Sequence, residues 1–288
     1  GQDVVYNPVV MSYLLVTQDN VLWFARKGPT PDEDGETEDS FHELIADGVN
    51  IQEYSDVETA LSNLVDGSYI KTLFVDPATL NYNLYSILED NSPRSIVFGT
   101  SPVGLRKSVK NDVEIAGMKE AHLEDGIAME RFLHWLQTSV EAGSAINEYE
   151  ASLKLHEFRS EIEGFRGESF ETISAYGPNA ALPHYVTPEE GSAEIYAEGL
   201  YLCDSGGQYL FGTTDITRTI PLGPCSQLEK EDYTLVLKGH IALSKAVFPK
   251  GTAGCQLDVL AREPLWNAKR NFGHGTGHGV GFYLSVHE

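Results

Sequence analysis

Short apolar runs separated by polar turns dominate the first hundred residues of the chain. Two such runs flank Gln18-Asp19-Asn20, a polar sequence typical of the turn between two strands. Further strand-like runs alternate with stretches whose apolar residues recur at helical spacing. The predicted elements are strands at residues 13–17, 21–25, 72–75 and 96–99, and helices near residues 57–65 and 80–88. This alternation predicts an α/β layer in which helices pack on a mixed sheet.

The pattern becomes helical from about Ser108, after a loop around Pro102 and Gly104 that we interpret as a domain boundary. Spaced apolar residues predict one buried face of a long helix, which Gly143 ends. The residues on that face are Ala121, Ala128, Phe132, Trp135 and Leu136. A second helix is predicted from Asn147, with a capping box to Glu150. The sequence therefore predicts two domains, at residues 1–108 and 109–288.

Strands are predicted to dominate residues 172–220, and two further helices follow them. Ser226 and Glu229 cap the start of the first helix, and Pro249 closes it. The second helix is predicted near residues 257–265, before a glycine-rich segment. The predicted buried face of the first helix comprises Tyr233, Val236, Leu237, His240 and Ile241. Such elements could form helices outside a curved antiparallel sheet.

Composition limits the classes of partner. The formal net charge of −23 over 288 residues argues against nucleic-acid backbones and anionic membranes, since both would repel the chain. Part of this charge lies in residues 31–39, which we interpret as a solvated acidic loop. The three cysteines lack the spacing of a metal or redox motif, and no apolar run reaches the roughly 20 residues needed to span a bilayer. A soluble cytoplasmic protein with reduced thiols is therefore expected.

Two distant segments carry the most specific chemistry. The first runs from Asp204 through Ser-Gly-Gly-Gln-Tyr-Leu-Phe-Gly-Thr-Thr to Asp215. A strand before Asp204, a turn at Gly206 and Gly207, and a strand from Thr213 would place the two carboxylates on neighbouring strands, roughly 5 Å apart. Burying two such carboxylates without a cation would be costly. This segment therefore indicates a cation site.

The second segment supplies imidazoles. His274, His278 and His287 lie within fourteen residues that are rich in glycine, and we expect His278 to lie on a glycine-rich strand. Two carboxylates with one neutral imidazole form a ligand set suited to manganese or zinc. The helical zinc-protease motif does not apply, because glycines separate His274 from His278 and no Glu follows His274. Phosphate-binding loop spacing and the nucleophile elbow that Ser205 would need are also missing from the sequence.

Each of these residues has a plainer interpretation when it is taken alone. Asp204 before Ser-Gly-Gly could be a turn residue, and Asp215 could cap a cluster of hydrogen-bonded threonines. His278 could be a core histidine whose hydrogen bonds are satisfied. Their occurrence together favours the metal site over the three separate explanations.

In sequence and order, these motifs resemble the aminopeptidase P branch of the metallopeptidases with the pita-bread fold. The resemblance rests on Gly177-Pro-Asn-Ala-Ala-Leu-Pro-His184-Tyr185, Asp204-Ser-Gly-Gly-Gln-Tyr, Gly212-Thr-Thr-Asp215-Ile-Thr-Arg218-Thr, Gly275-Thr-Gly-His278-Gly-Val-Gly and Val286-His287-Glu288. It implies a partial α/β domain like the creatinase N-terminal domain at residues 1–108, followed by a pita-bread catalytic domain at residues 109–288 that lacks its C-terminal part. The implied activity is cleavage of the bond between an N-terminal residue and a following proline.

The resemblance also implies a role for each site residue. Asp204 would be a ligand of one metal ion, Asp215 a carboxylate that bridges two ions, and His278 the imidazole ligand. His184, His274 and His287 would either support the metal ligands or contact the substrate, holding the scissile carbonyl and the developing oxyanion. The implied cofactors are two divalent metal ions, with Mn²⁺ as the expected metal and Zn²⁺ or Co²⁺ as alternatives. The implied assembly is a homodimer, and the implied partners are peptides with proline at the second position.

The chain departs from the family pattern at its end. Two glutamates and an arginine are expected beyond His287, and the sequence given stops at Glu288. One of those glutamates is the general base of the family, so residues 1–288 alone are expected to show little activity and weak metal affinity. Two alternatives stay open: a prolidase acting on dipeptides, and a metal-free pita-bread binding module.

Overall fold

The first unit of the computed structural model, Gly1–Lys110, is a mixed α/β arrangement. The structure describes residues 3–26, 43–66, 71–90 and 95–288, so the predicted acidic loop at residues 31–39 lies outside the described part. The strands of this unit are β1 (Ser12–Val16), β2 (Val21–Ala25), β3 (Val49–Glu53), β4 (Thr72–Val75) and β5 (Ser95–Phe98). β2 pairs antiparallel with β1 and parallel with β3, while β4 and β5 form a parallel pair. The mixed sheet predicted from the sequence is confirmed.

Two amphipathic helices supply the core of the first unit. They are α1 (Val57–Asp66) and α2 (Tyr82–Asp90), and both agree closely with the predicted helices. Leu61 and Val65 of α1 are buried together with Leu84 and Leu88 of α2. The spacing of these residues by four places each pair on one face of its helix.

The predicted loop around Pro102 and Gly104 is wrong. These residues form helix α3 (Pro102–Ser108). The proline occupies the first turn of that helix, where a missing N–H costs nothing, and the Ser101 side chain caps the start by accepting from the Val103 N–H. A proline that looks like a break in the sequence thus begins a helix.

Two long helices open the second unit, Asn111–Glu288. Helix α4 (Asp112–Glu141) starts at the capping box of Asn111 with Glu114, slightly later than predicted, and α5 (Glu148–Ser160) starts at the predicted box of Asn147 with Glu150. Phe132 and Leu136 of α4 pack in a core with Leu155 of α5, while Trp135 is only partly buried. In the described part of the chain, no helix has both the length and the apolar character needed to cross a membrane.

Six strands of the second unit form two small antiparallel sheets. They are β6 (Phe165–Glu168), β7 (Ile173–Tyr176), β8 (Leu200–Ser205), β9 (Gly207–Tyr209), β10 (Gly212–Thr213) and β11 (Ile216–Pro221). One sheet has the order β11-β8-β7 and the other the order β10-β9-β6. Tyr201 and Cys203 of β8 point into the core beside α4 and α5, so alternate residues of the same strand face the opposite side.

Helices α6 (Gln227–Ser244) and α7 (Gly254–Asn267) pack against each other. The predicted buried face of α6 is wrong, because Tyr233, Val236, Leu237, His240 and Ile241 are all exposed, Val236 to 56%. The contact falls on another side of the helix, where Gly239 is buried and an added Cβ would lie 2.2 Å from the Ala261 carbonyl oxygen. Close approach through a glycine, rather than apolar periodicity, decides which side of α6 is covered.

Candidate metal centre

The β8–β11 ladder brings the two predicted carboxylates to the same end of one sheet. Asp204 lies on β8 opposite Thr217 of β11, and the Thr217 hydroxyl donates to Asp204 Oδ1 at 2.7 Å. Asp215 directly precedes Ile216, which is opposite Ser205 in the register. Antiparallel pairing therefore fixes the backbone of Asp204 and of Ile216, the residue next to Asp215.

The connection between the two carboxylates is not the predicted turn at Gly206 and Gly207. The chain leaves the first sheet at Gly206, and Gly207 begins β9 of the second sheet. It turns at Leu210 and Phe211 and returns through β10. A Cβ on Gly206 would lie 1.9 Å from the Thr214 carbonyl oxygen. The glycine is therefore needed where the outgoing and returning chains touch, and not for a tight turn.

His278 completes the group that the sequence predicts. Its Nε2 lies 3.1 Å from Asp215 Oδ2, and its ring meets the His287 ring nearly edge-on, with centroids 4.2 Å apart. Two ligand atoms that each lie about 2.1 Å from one ion are themselves separated by about 3 Å, so the imidazole and the carboxylate already have the spacing of neighbouring ligands.

The predicted glycine-rich strand around His278 is wrong. Residues 271–288 form bends and irregular backbone, without a ladder to any strand in the described ranges. Glycine is a poor strand former because it has no side chain to pack, and this segment alternates glycine with other residues from Gly273 to Gly281. Its internal backbone contacts are few, from the Gly281 N–H to Ser285 and from the Glu288 N–H to Gly279.

The electrostatics of the group favour a cation. Burial raises the pKa of Asp204, the hydrogen bond from Thr217 opposes that rise, and the charge of Asp215 adds to it. The neighbouring imidazoles of His184 and His278 oppose this rise in the pKa of Asp204. A divalent ion would relieve the repulsion between the two carboxylates. Among the described residues, no three His, Cys, Asp or Glu side chains are grouped closely enough to hold an ion by themselves.

The other two predicted histidines differ in their surroundings. His184 is exposed on a loop and has a φ of 60°, in the left-handed region that few non-glycine residues adopt. His274 stacks on Phe272 with ring centroids 4.7 Å apart, and its Nδ1 lies 2.8 Å from the Gly275 carbonyl oxygen. The structure thus brings Asp215, His278 and His287 together, with Asp204 on the neighbouring strand, and it places the contacts of His274 elsewhere.

Glu148 anchors the loop that carries His184. This carboxylate is fully buried in the first turn of α5, and it accepts from the Tyr176 N–H at 2.6 Å and from the Tyr185 hydroxyl at 2.7 Å. Asn179 donates to both of its oxygens. Burial and the hydrogen bond to Glu148 raise the pKa of Tyr185 to about 12. The Gly-Pro-Asn and His-Tyr parts of the motif are therefore held by one carboxylate that sequence reasoning missed.

Arg262 of α7 plays a similar part for the histidine segment. Its guanidinium donates to Asp258 at 2.7 Å, to the Phe272 carbonyl at 2.7 Å and to the His274 carbonyl at 2.8 Å. Thr276 also donates to Asp258. The segment that leads to His278 is thus fastened to α7 through one ion pair. Sequence reasoning missed this pair as well, although its spacing of four residues on a helix is a recognisable signal.

A second ion pair, Asp125–Arg159, lies behind the carboxylates, and both side chains are completely buried. Arg159 Nε donates to Asp125 Oδ1 at 2.7 Å, and the same guanidinium reaches Ser205, the residue after Asp204. A signal for Asp125 was present in the sequence, because it stands four residues after Ala121 and three before Ala128 on the predicted apolar face. A charged residue on such a face predicts a buried partner.

Comparison with known proteins shows which sequences share this arrangement. Residues 116–288 match the profile of Metallopeptidase family M24, and residues 1–114 match that of the Creatinase/Prolidase N-terminal domain. The chain is 40% identical to Aminopeptidase P1 of Arabidopsis thaliana over 331 aligned residues, which cover 100% of this chain and 50% of that protein. The chain therefore spans about half the length of the curated relatives it matches.

Solved structures give the same result. The X-prolyl aminopeptidase of Caenorhabditis elegans, described as a cytosolic enzyme with a di-nuclear active site, superposes with a TM-score of 0.90 at 39% identity, covering 99% of this chain and 46% of that one. The Xaa-Pro dipeptidase of Bacillus anthracis superposes with a TM-score of 0.73 at 26% identity, covering 97% of this chain and 74% of that one. The similarity extends over both compact units.

Proposed function

Because the chain belongs to metallopeptidase family M24, with a creatinase-type N-terminal domain before the catalytic domain, we propose that the whole protein is a metal-dependent Xaa-Pro aminopeptidase. It would release the first residue from peptides whose second residue is proline. The observation that carries this proposal is the meeting of Asp215 with His278 beside Asp204, in a chain 39% identical to a di-nuclear X-prolyl aminopeptidase.

The residues present fit a metal centre in their chemistry, and Asp215 and His278 also have the spacing of neighbouring ligands. Asp204 and Asp215 offer hard carboxylate oxygens and His278 a neutral imidazole, a set that suits Mn²⁺ and also accommodates Zn²⁺ or Co²⁺. Two bound ions would supply a nucleophilic water at neutral pH and would polarise the scissile carbonyl. By the family resemblance Asp215 would be the carboxylate shared by both ions, and its contact with His278 is compatible with a role as a ligand.

The exposed histidines would act on the substrate. His287 packs edge-on against His278, so its own ring nitrogens border the centre. His184 projects from the loop that Glu148 anchors. Both can donate N–H groups to a carbonyl oxygen that gains negative charge during attack. We keep His274 as a third candidate for substrate contact, although its present contacts are with Phe272 and Gly275.

The amide before proline explains why this bond needs a dedicated peptidase. That amide has no N–H and restricted geometry, so peptidases that bind an N–H at this position cannot use it. A site that reads the carbonyl and the free amino group instead can accept it. A tripeptide with proline at the second position should be cleaved faster than an Xaa-Pro dipeptide, and the opposite order would favour the activity named for the Bacillus anthracis relative.

Three finer features complete the proposal. Manganese is the proposed metal, the cytoplasm the proposed location by likeness to the cytosolic Caenorhabditis elegans enzyme, and a homodimer the proposed assembly from the family resemblance. Metal analysis of the whole protein tests the first feature, and it also tests the alternative of a binding module, which should contain no metal. Light scattering tests the assembly, and a monomer would contradict it.

The decisive experiment compares two variants of the whole protein. Asp215→Asn keeps the volume and one carbonyl oxygen but removes the bridging charge, so both bound metal and turnover should be lost while the fold remains. His287→Ala should keep its metal and lose about 10²- to 10³-fold in kcat, the scale of one transition-state donor. Metal content and initial rates are the measurements. The assigned roles are wrong if Asp215→Asn keeps two ions and near-normal activity, or if His287→Ala loses its metal.

A further inference from the structure

We propose that the buried Asp125–Arg159 ion pair is a positioning unit for the metal centre, which sets the separation of Asp204 and Asp215 through the hydroxyls of Ser205 and Thr214. This inference rests on the proposed metallopeptidase function. Asp125 and Arg159 themselves would touch neither metal nor substrate. Their effect would reach the carboxylates through the residue after Asp204 and the residue before Asp215.

All three guanidinium nitrogens of Arg159 donate hydrogen bonds within this network. It donates from Nε to Asp125 Oδ1 at 2.7 Å and from one terminal nitrogen to Asp125 Oδ2 at 3.3 Å. The same nitrogen reaches the Ser205 hydroxyl at 3.0 Å, and the other donates to Glu168 at 2.9 Å. The planar guanidinium fixes these directions relative to one another. Ser205 is therefore tied to a rigid group that spans α5 and β6.

Thr214 provides the second link. Its hydroxyl donates to Asp125 Oδ2 and accepts from the Gly207 N–H at 2.8 Å. The Thr214 N–H in turn donates to the Gly207 carbonyl at 2.9 Å, and the Thr214 carbonyl accepts from the Ser169 hydroxyl at 2.8 Å. The backbone N–H and the backbone carbonyl of Thr214 are thus both held by hydrogen bonds. Asp215, one residue later, begins from a fixed backbone position.

Strand geometry explains how the Arg159–Ser205 contact on one face of the sheet can control Asp204 on the opposite face. Successive side chains on β8 point to opposite faces, so Ser205 faces the buried pair when Asp204 faces the site. Ser205 is fully buried and Asp204 is half-buried, in agreement with this alternation. Moving Ser205 would tilt the peptide that carries Asp204. One ion pair thus holds both strand ends that present the carboxylates.

Each carboxylate of the network is paired without help from a metal. Burial alone would lower the pKa of Arg159, but the charges of Asp125 and Glu168 raise it, so the guanidinium stays charged. Glu168 is also paired with His156 at 2.9 Å, and this hydrogen bond raises the pKa of His156. The unit can therefore support the carboxylates without competing for the cation.

Stability alone is a weak explanation for this pair. Well-packed apolar residues in place of a buried ion pair often leave a protein as stable or more stable, so such a pair is no guide to stability. Supporting hydrogen bonds around metal ligands, in contrast, commonly change metal affinity by about 10- to 100-fold. The Asp125–Arg159 pair bonds the residues next to Asp204 and Asp215, so support of the metal ligands explains it better than stability does.

The test removes the two links and leaves the ion pair in place. Thr214→Val keeps the shape of the side chain and removes its hydroxyl, whereas Thr214→Ser keeps the hydroxyl and removes a methyl group. Ser205→Ala removes the second link. Thr187→Val is the matched control, because Thr187 is also buried and its hydroxyl bonds only the backbone of Ser174. The dissociation constant of Mn²⁺ for the whole protein is measured by calorimetry, and unfolding of the metal-free protein by urea.

Thr214→Val and Ser205→Ala should each weaken Mn²⁺ binding by about 10-fold or more. Thr214→Ser and Thr187→Val should stay within about 2-fold of the wild-type affinity. The urea midpoints of Thr214→Val and Thr187→Val should fall by similar amounts, which separates positioning from general stability.

The inference is overturned if Thr214→Val binds Mn²⁺ as tightly as the wild type. It is equally overturned if Thr214→Ser and Thr214→Val lose affinity alike, because packing and not the hydroxyl would then be responsible. A wild-type protein that binds none of Mn²⁺, Zn²⁺ and Co²⁺ would refute the proposed function itself, and the inference with it. Tight wild-type binding with unaffected variants would leave the function standing and refute only the positioning role.

Discussion

The two halves of the candidate centre are supported in different ways. The carboxylate half lies on an antiparallel ladder and is backed by Arg159, whose side chain has no exposed surface. The histidine half lies on irregular backbone and is fastened to α7 by Arg262, whose side chain is 14% exposed. Each half depends on an arginine that pairs with an aspartate and also donates to groups beside the site. They differ in how deeply that arginine is buried and in how regular the backbone in front of it is.

The difference follows from the charges that each half must hold. Asp204 and Asp215 repel each other, and without a cation this repulsion works to separate them. The β8–β11 ladder and the buried Asp125–Arg159 pair can resist that repulsion. The imidazoles of His278 and His287 carry no such repulsion when neutral, so they need less support. We infer that preorganisation is concentrated where like charges must be held together.

Replacing the two arginines should give the largest contrast. Arg159→Met leaves Asp125 as a buried, unpaired charge and should cost about 3–5 kcal/mol of unfolding free energy. Arg262→Met leaves Asp258 partly exposed to water and should cost about 1–2 kcal/mol. Urea unfolding of the metal-free protein measures both. Equal losses would contradict the view that the carboxylate half is the more rigidly supported one.

Glycine substitutions should give an intermediate effect. Gly206→Ala forces a Cβ to within 1.9 Å of the Thr214 carbonyl oxygen, so the two chains must separate. Such overpacking should cost about 1–3 kcal/mol. Gly277→Ala is the control in the histidine half, where an added Cβ meets nothing within 4 Å, and its effect should stay within about 0.5 kcal/mol. A larger loss for Gly277→Ala would show that the histidine segment is the tighter of the two.

The smallest expected effect concerns pH, and its sign differs between the halves. Burial raises the pKa of Asp204, so ionisation destabilises the folded metal-free protein as pH rises from the usual range of an aspartate through the raised pKa. Asp204→Asn should therefore be more stable than the wild type at neutral pH, and this advantage should vanish below about pH 4.

Asp258 in the histidine half should behave in the opposite way. Hydrogen bonds from Arg262 and Thr276 lower its pKa, so its contribution to stability is present above the usual pKa of an aspartate and is lost as pH falls through the lowered one. Asp258→Asn should thus be less stable than the wild type at neutral pH. Thermal unfolding between pH 3 and pH 8, without metal, measures both variants. If Asp204→Asn and Asp258→Asn change the unfolding temperature at neutral pH in the same direction, the proposed electrostatic difference between the two halves is wrong.

Local pattern predicted much of the first unit. The strand at residues 72–75 and the helix near residues 57–65 are confirmed, because alternating or helically spaced apolar residues there face a core. Strand β3 was missed although Val49 and Ile51 alternate with Asn50 and Gln52, a pattern typical of a half-buried strand. The orientation of α6 was also missed, since the close approach at Gly239 depends on a partner helix that periodicity cannot reveal.

The candidate site was predictable as a set of residues but not as an arrangement. The motifs predicted Asp204, Asp215 and His278 as ligands; the structure places Asp215 in contact with His278 and Asp204 on the strand that pairs with β11, and the ligand roles stay a prediction. The sheet change at Gly206 and the pairing of Asp125 with Arg159, 34 residues away, arise from tertiary contacts. Neither turn propensity nor hydrophobic periodicity can predict such contacts. The surroundings that hold the ligands were therefore harder to predict than the ligands themselves.

The outward apolar side of α6 has a consequence for colloidal behaviour. Val236 and its apolar neighbours face solvent on a chain whose net charge is −23, so mutual repulsion opposes hydrophobic contact between molecules. Charges interact over about 30 Å in 0.01 M salt but over only about 3 Å in 1 M salt. Residues 1–288 should stay dispersed in the first condition and begin to cluster in the second. Light scattering would follow this transition, and Val236→Lys should delay it.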